Sequence, residues 1–229
     1  MKPLMSESQD EESLQALGRA SVQIVHDLKN QLNGLKLYAT FLRKRMERSE
    51  RPADELETVN KLIAGLDRTA ADLSIIVQFG QPLGLRRRPG IDLQKTLEAV
   101  ATKLNESSPA TGALRSLVVV SGERVPLVGE FDSDILSEAL RWISLGAIKM
   151  LGSKAETALH IHLKLETNET HREGVIEWSG LDSLSHDPFR SFAGSDGIRM
   201  SLAARAVEAH GGSAQRDDGT LRVRLPLSS

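Results

Sequence analysis

"QIVHDLKNQLNGLKLY", from Gln23 to Tyr38, is the stretch on which the fold turns. Its apolar residues recur at steps of three and four, which gathers them on one face of a helix. Continued both ways, the stripe runs Leu14, Leu17, Ser21, Ile24, Leu28, Gln31, Leu35, Tyr38 and Leu42. That is the heptad a/d rhythm of helices packed side by side, with polar breaks at Ser21 and Gln31. With Leu28 at a and Ile24 at d, His26 falls at f and points away from the seam. Asn30 falls at c, one turn along the same side, and Asp27 at g beside the exposed face. An exposed imidazole can act as a nucleophile when an electrophile is brought to it. The adjacent carboxylate can take the ring proton or hold the tautomer. Asn30 can bind a phosphoryl oxygen or orient a water, and Lys29 can help hold an anion. On spacing alone, the same residues also describe an ordinary wet helix face.

Further along, "RKRMERSERPADE" interrupts the pattern, and Pro52 suits a turn or the first turn of a new helix. A second stripe follows without a fault: Leu56, Val59, Ile63, Leu66, Ala70, Leu73 and Val77. The breakers of "FGQPLGLRRRPG" end it. Residues 1–12 read as a frayed, disordered N-terminus, 13–80 as an antiparallel helical hairpin, and 81–90 as a linker. A lone hairpin leaves each stripe half covered. Pairing with a second copy, giving a homodimeric four-helix bundle, is the expected solution. Packing against the rest of the chain is the alternative.

Residues 91–229 read as an α/β sandwich. "IDLQKTLEAVATKLNESS" is a helix with Asp92 as its cap, and "FDSDILSEALRWISLGAIKMLG" a helix capped by Asp132 or Ser133. "SLAARAVEAHGG" is a third, stopped by Gly211 and Gly212. Strands are expected in "LRSLVVVSG", "VPLVGE", "TALHIHLKLE", "EGVIEWSG" and "TLRVRLPL". In the third of these, Leu159, Ile161, Leu163 and Leu165 face one way.

Composition narrows the function. The 229 residues carry a net charge of −2, so no global basic field speaks for nucleic acid. Aromatic residues are only 3%, too few for stacking platforms. There is no cysteine, which excludes thiol chemistry and fits a reducing compartment. No apolar run approaches the roughly 20 residues of a membrane span, and the polar, acidic start is unlike a secretory signal. A soluble, cytoplasmic protein is expected, with neither nucleic acid nor membrane as a partner.

"HDLKNQLNGL", early in a heptad hairpin, resembles the H-box of sensor histidine kinases. In that family the histidine takes phosphate on nitrogen and is followed by an acid, with Asn or Thr four residues on. His26, Asp27 and Asn30 match position by position. The family's proline after that residue is Gln31 here, so its usual helix bend loses its cause. "IDLQKTLEAV" is similar to the entry into the kinase ATP-binding domain, and "DSDILSEALRWISLGAIKML" to the N-box helix. "GIRMSLAARAVEAHGG" with "GTLRVRLPL" is similar to the last Gly-box helix and final strand. The likeness spans nearly the whole chain.

The same resemblance exposes losses. The N-box asparagines that hold Mg²⁺ and phosphate are Trp142 and Gly146, neither of which offers a side-chain oxygen. The first Gly-box, Asp-x-Gly-x-Gly, is "WSGLD": Trp178 replaces the adenine-reading Asp, Gly180 remains and Asp182 replaces the last Gly. An indole only donates, so it cannot accept from the adenine amino group. The last Gly-box keeps only Gly197, with Ser195 and Arg199 at its other glycine positions. About a dozen residues separate these two boxes, too few for the family's lid. The resemblance therefore implies a histidine phosphotransferase with a degenerate ATP domain. It would shuttle phosphate between response-regulator receivers through His26, bind no cofactor of its own, and use Mg²⁺ supplied by the receiver. The alternatives are a divergent kinase that phosphorylates His26 from ATP, a non-enzymatic regulator of a kinase or receiver, and a receiver phosphatase in which Asn30 orients the water.

Other candidates receive plainer readings. His160 and His162 alternate on one strand with no third ligand evident, so no metal is expected. His210 reads as a helix C-terminal residue favoured by the dipole, and His171 and His186 as loop residues. Arg86, Arg87 and Arg88 read as a solvated linker, with contact to an acidic receiver surface as the alternative.

Overall fold

The computed structural model describes residues 5–47, 53–80, 83–107, 118–122, 125–151, 158–167, 171–182, 187–191, 194–217 and 219–228; in the first helix, side chains are described from Ile24 onward. Pro52, His186 and the side chains of Leu14, Leu17 and Ser21 lie outside this set. The chain divides into two units, Met1–Pro82 and Leu83–Ser229.

The first unit is a hairpin of two long helices, α1 (Met5–Glu47) and α2 (Ala53–Gly80). Helix α1 starts at Met5, so residues 5–12, expected to be frayed, are helical. An acid-rich segment such as "SESQDEE" suits the positive end of a helix dipole. The contact between the two helices also differs from the a/d expectation. On α1 the inward residues are Val25, Leu32, Lys36, Ala39, Arg43 and Met46, the e and b positions. Ala39 is buried, and Lys36 Nζ reaches Asp67 Oδ1 on α2 at 2.5 Å. The a/d stripe of Ile24, Leu28, Leu35, Tyr38 and Leu42 is instead exposed. Two apolar stripes lie side by side on α1, and α2 covers the smaller one. On α2 the expected stripe does face inward: Val59 is buried, and Leu56, Ile63, Leu66, Ala70, Leu73 and Val77 are half-buried.

The second unit is a two-layer sandwich. It runs β1 (Arg88–Asp92), α3 (Leu93–Ser107), β2 (Val118–Gly122), β3 (Val128–Phe131), α4 (Ser133–Met150), β4 (Leu159–Thr167) and β5 (Arg172–Ser179). A 3-10 turn at Pro188–Arg190 precedes α5 (Gly194–Ala209), β6 (Ser213–Asp217) and β7 (Thr220–Pro226). The main sheet has the order β2-β4-β5-β7-β6, with β2 and β4 parallel and the other pairs antiparallel. A separate ribbon pairs β1 with β3.

Alternation decides which sheet face is covered. Leu159, Ile161, Leu163, Ile176, Trp178, Leu221, Val223 and Leu225 point inward and are fully buried. They meet Leu93 and Leu97 of α3, Leu136, Leu140 and Ile143 of α4, and Ala203 and Val207 of α5. The outward face carries Lys164, Glu166, Glu173, Glu177, Arg222 and Arg224 in one ion-paired network. Both expected caps form: Asp92 Oδ1 accepts from Gln94 N–H at 2.9 Å, and Asp132 Oδ1 from the Asp134 and Ile135 N–H groups.

The 81–90 linker gives way at its end to β1, which starts at Arg88. Pro89 and Gly90 read as breakers, but the ladder shifts register between Arg88 and Ile91, and Gly90 takes φ +82° there. A positive φ at an irregularity of this kind is the conformation glycine adopts most freely.

Candidate functional site

His26 lies on the wet side of α1. Its side chain is 57% exposed and that of Asp27 59%, with Nδ1 3.7 Å from Asp27 Oδ1. Asn30 Nδ2 lies 3.4 Å from the same Nδ1, one turn on. Asp27 and Asn30 therefore both approach Nδ1 of a ring that is more than half exposed. For Nε2 to attack, its lone pair must be free and Nδ1 must carry the proton. Asp27 is the acceptor that favours this tautomer. The Asn30 amide can support either tautomer, because its oxygen and nitrogen ends are isosteric. Lys29 is half-buried on the b flank towards α2. Leu37 and Phe41, at c and g on the same side as Asn30 and Asp27, are exposed apolar residues. They extend the His26 side into a mixed polar and apolar surface, while the a/d stripe occupies the opposite side of the helix.

The residues placed in the nucleotide boxes also converge, in the second unit, where α4, the end of β5 and the start of α5 meet. Trp178 is fully buried, and its Nε1–H donates to Ser144 Oγ at 3.0 Å. Ser144 Oγ donates onward to the Leu140 carbonyl at 2.8 Å. Gly146 is buried against Met200: a Cβ there would lie 2.5 Å from the Met200 sulfur. Trp142 is half-buried against the core. The Asp182 N–H donates to Met150 O at 2.9 Å, which fastens the chain after β5 to the end of α4. Gly180 takes φ +79° with open space at its Cβ position. Gly197 packs against the Ser191 carbonyl, to which Ser201 Oγ donates at 2.9 Å. Asp196 pairs with Lys149 of α4, and Arg199 lies 3.6 Å from it. This corner is filled by an indole, a thioether and internal ion pairs.

His210 does follow directly on α5, at the helix C-terminus, but it is buried there rather than exposed. Nε2 accepts from the Asp132 N–H at 3.0 Å, and Nδ1 lies 2.7 Å from Ala206 O. Burial pushes its pKa below the ordinary value of 6.5, Arg87 adds to this, and the Ala206 bond and Asp132 oppose it. Asp132 is buried as well, and its burial favours the neutral acid. The Arg86, Ile135 and Asp134 N–H groups outweigh that and hold its carboxyl below the usual range. Arg86, Arg87 and Arg88 are exposed, as expected of a solvated linker, but the backbone N–H of Arg86 donates to Asp132 Oδ2 at 2.8 Å and Arg87 Nη2 to Ala209 O at 2.6 Å. A histidine directly after a helix and before two glycines was the available sign, since the chain reversal folds the ring back onto the helix end.

His160 and His162 are exposed on the outward sheet face, and His162 Nδ1 meets Ser121 Oγ at 3.0 Å. Among the described residues, no group of three His, Cys, Asp or Glu side chains could hold a metal. Nor, among them, is any helix long and apolar enough to cross a membrane.

No protein-family model matches the sequence, and no curated protein does. Solved structures do. Full-length ShkA in complex with AMPPNP superposes with a TM-score of 0.65 at 17% identity, covering 90% of this chain and 45% of ShkA. The histidine kinase ThkA in complex with the response regulator protein TrrA gives 0.57 at 16% identity, over 100% of this chain and 68% of ThkA. The Acinetobacter baumannii histidine kinase AdeS gives 0.55 at 14% identity, over 87% of this chain and 97% of that one. The chain spans under half the length of ShkA. It has the fold of the histidine kinases: a helical hairpin followed by an α/β domain of the ATP-binding kind.

Proposed function

We propose that this chain, folded as histidine kinases are, serves two-component signalling as a histidine phosphotransferase that uses no ATP. His26 takes a phosphoryl group from the aspartyl-phosphate of one receiver domain and hands it to another. The Nε2 lone pair attacks phosphorus, the phosphorus–oxygen bond to the receiver aspartate breaks, and the carboxylate leaves as the anion. Asp27 holds the Nδ1 proton and stabilises the charge that builds on the ring. The reverse step returns the group to a second aspartate. Mg²⁺ comes with the receiver.

The observation that carries this reading is the buried Trp178. At the position where the family reads adenine with a carboxylate, an indole is spent on Ser144. Gly146 supports it, since an Asn there would first displace the Met200 sulfur. On the hairpin, His26, Asn30, Leu37 and Phe41 offer a receiver an open side, and the exposed a/d stripe opposite suits a second copy of the chain. Incubation with a phosphorylated receiver should label the protein, and His26→Ala should abolish the label. A labelled His26→Ala variant would overturn the reading, as would signalling unchanged by that substitution.

One feature favours a second reading, a divergent kinase. Gly180 keeps its positive φ with open space around it, so the turn after β5 retains room at its surface. Calorimetry with an ATP analogue, and labelling from ATP with Mg²⁺, separate the two: the phosphotransferase shows neither binding nor label.

A further inference from the structure

We propose that the contact between Asp132 and His210 is a pH-sensitive latch: protonation of His210 releases Arg86, in the strap Leu83–Arg87 that leads into the α/β unit, from the Asp132 carboxylate. Leu83 packs against the core, and two hydrogen bonds hold the rest of the strap beside the imidazole. Arg86 N–H is held by Asp132 Oδ2, and Arg87 by the carbonyl of Ala209, the residue before His210. The ring's state is dictated by its partners. The Asp132 N–H can only donate and the Ala206 carbonyl can only accept, so Nε2 is bare and Nδ1 carries the proton.

A second proton has one place to go, Nε2. It sets two N–H donors head to head across 3.0 Å, and the Asp132 contact must open. The Nδ1 bond to Ala206 survives in both states. The new imidazolium then faces the Asp132 carboxylate, whose oxygens are engaged with Arg86, Asp134 and Ile135 N–H groups. Drawing that carboxylate to the ring takes it from Arg86. Arg87 pushes in the same direction, since it places a cation beside a site that would gain another. The charged groups acting on the ring are Asp132, from the junction of β3 and α4, and Arg87, from the strap. The third neighbour, Phe131 of β3, presents an uncharged ring with centroids 5.9 Å apart.

The sign follows from a histidine buried neutral. The latch holds fully above the ordinary histidine pKa of 6.5 and is lost as pH falls through the lowered value of the folded state. The test is a titration of the full-length protein from about pH 8 to about pH 5, the range in which histidine changes charge. It reads the His210 ring by ¹⁵N NMR together with amide exchange, corrected for its intrinsic pH dependence. Arg86 protection should fall by up to about tenfold per pH unit as pH drops from 6.5 towards the ring's lowered folded value, and level off below it, while Ile161 and Ile176 in the sheet stay protected. A ring that stays neutral until the whole unit unfolds would overturn the latch. So would a ring that titrates with Arg86 protection unchanged. In His210→Gln, the amide can accept from Asp132 and donate to Ala206 without titrating, so the acid-induced step at Arg86 should vanish. Its persistence would equally overturn the proposal, and if that variant does not fold, the wild-type titration decides alone.

Discussion

The indole N–H of Trp178 and the hydroxyl of Ser144 form a closed pair inside the α/β unit, 3.0 Å apart and both fully buried. The Ser144 O–H in turn donates a hydrogen bond to the Leu140 carbonyl, so both donors of the chain are satisfied. The pair joins β5 to α4.

This coupling is measurable. Trp178→Phe removes the donor and some volume, and should cost about 1–3 kcal/mol. Ser144→Ala strands a buried indole N–H and should cost about 1–3 kcal/mol. The double variant should lose less than the two together, because the second change removes a partner already gone. Urea denaturation of the four proteins gives the cycle, and strict additivity would show that the bond contributes nothing.

Gly146 tests whether the corner can be reopened by one residue. Gly146→Asn introduces the residue expected there from the resemblance, but its Cβ meets the Met200 sulfur at 2.5 Å. Met200 is itself buried, so its displacement should cost about 1–3 kcal/mol of overpacking. Thermal unfolding should fall in Gly146→Asn and recover in part when Met200→Ala is added. No change on the single substitution would mean that the thioether moves aside freely.

The apolar stripe of α1 predicts an association behaviour. Leu35 and Tyr38 are 55% and 72% exposed although they hold a and d positions. Leu35→Glu or Tyr38→Glu should shift the protein towards monomer in sedimentation velocity. Leu37→Glu, on the His26 side, should leave the association state alone and slow transfer from a receiver. An effect of Leu37→Glu on sedimentation equal to that of Leu35→Glu would show that association does not run through the a/d stripe.

How much of this was legible in the sequence depended on whether local pattern or distant pairing decided each element. The stripes of α1 and α2 were readable because helix periodicity is local. Which flank of α1 meets α2 was not, because two apolar stripes adjoin and only the partner helix selects between them. Strands β4, β5 and β7 alternate plainly. β1, with its Pro89 and Gly90, and β6, with its sequence "SAQRD", carry no such pattern and exist through the neighbours they pair with. His26, Asp27 and Asn30 could be placed together from spacing alone. The cluster of Arg86, Asp132 and His210 joins residues up to 124 positions apart (from 86 to 210), and although the glycines after His210 hint that its ring folds back, no local pattern names its partners.

The outward face of the sheet gives a prediction for acid conditions. Arg224 is the chief cause holding the Glu166 carboxyl below its ordinary value of 4.5, with Lys164 adding to it against the effect of burial. At Glu177 burial pushes upward, but Arg222 and Lys164 outweigh it and hold the group low. Both carboxylates are depressed in the folded protein, so they stabilise it above about pH 4.5 and the contribution is lost as pH falls through their folded values. Arg224→Met keeps an apolar stem beside Val175, its cross-strand neighbour, and removes the charge next to Glu166 and Glu173. About a third of the side chain of each partner is exposed, so the loss near neutral pH should stay at or below about 1 kcal/mol. The gap between variant and wild type should close as the medium is acidified through the depressed folded value of Glu166, below which the carboxyl is protonated in both. Urea midpoints across that range measure it, and a gap that stays constant down to acid unfolding would show that the lost stability came from packing of the stem rather than from its charge.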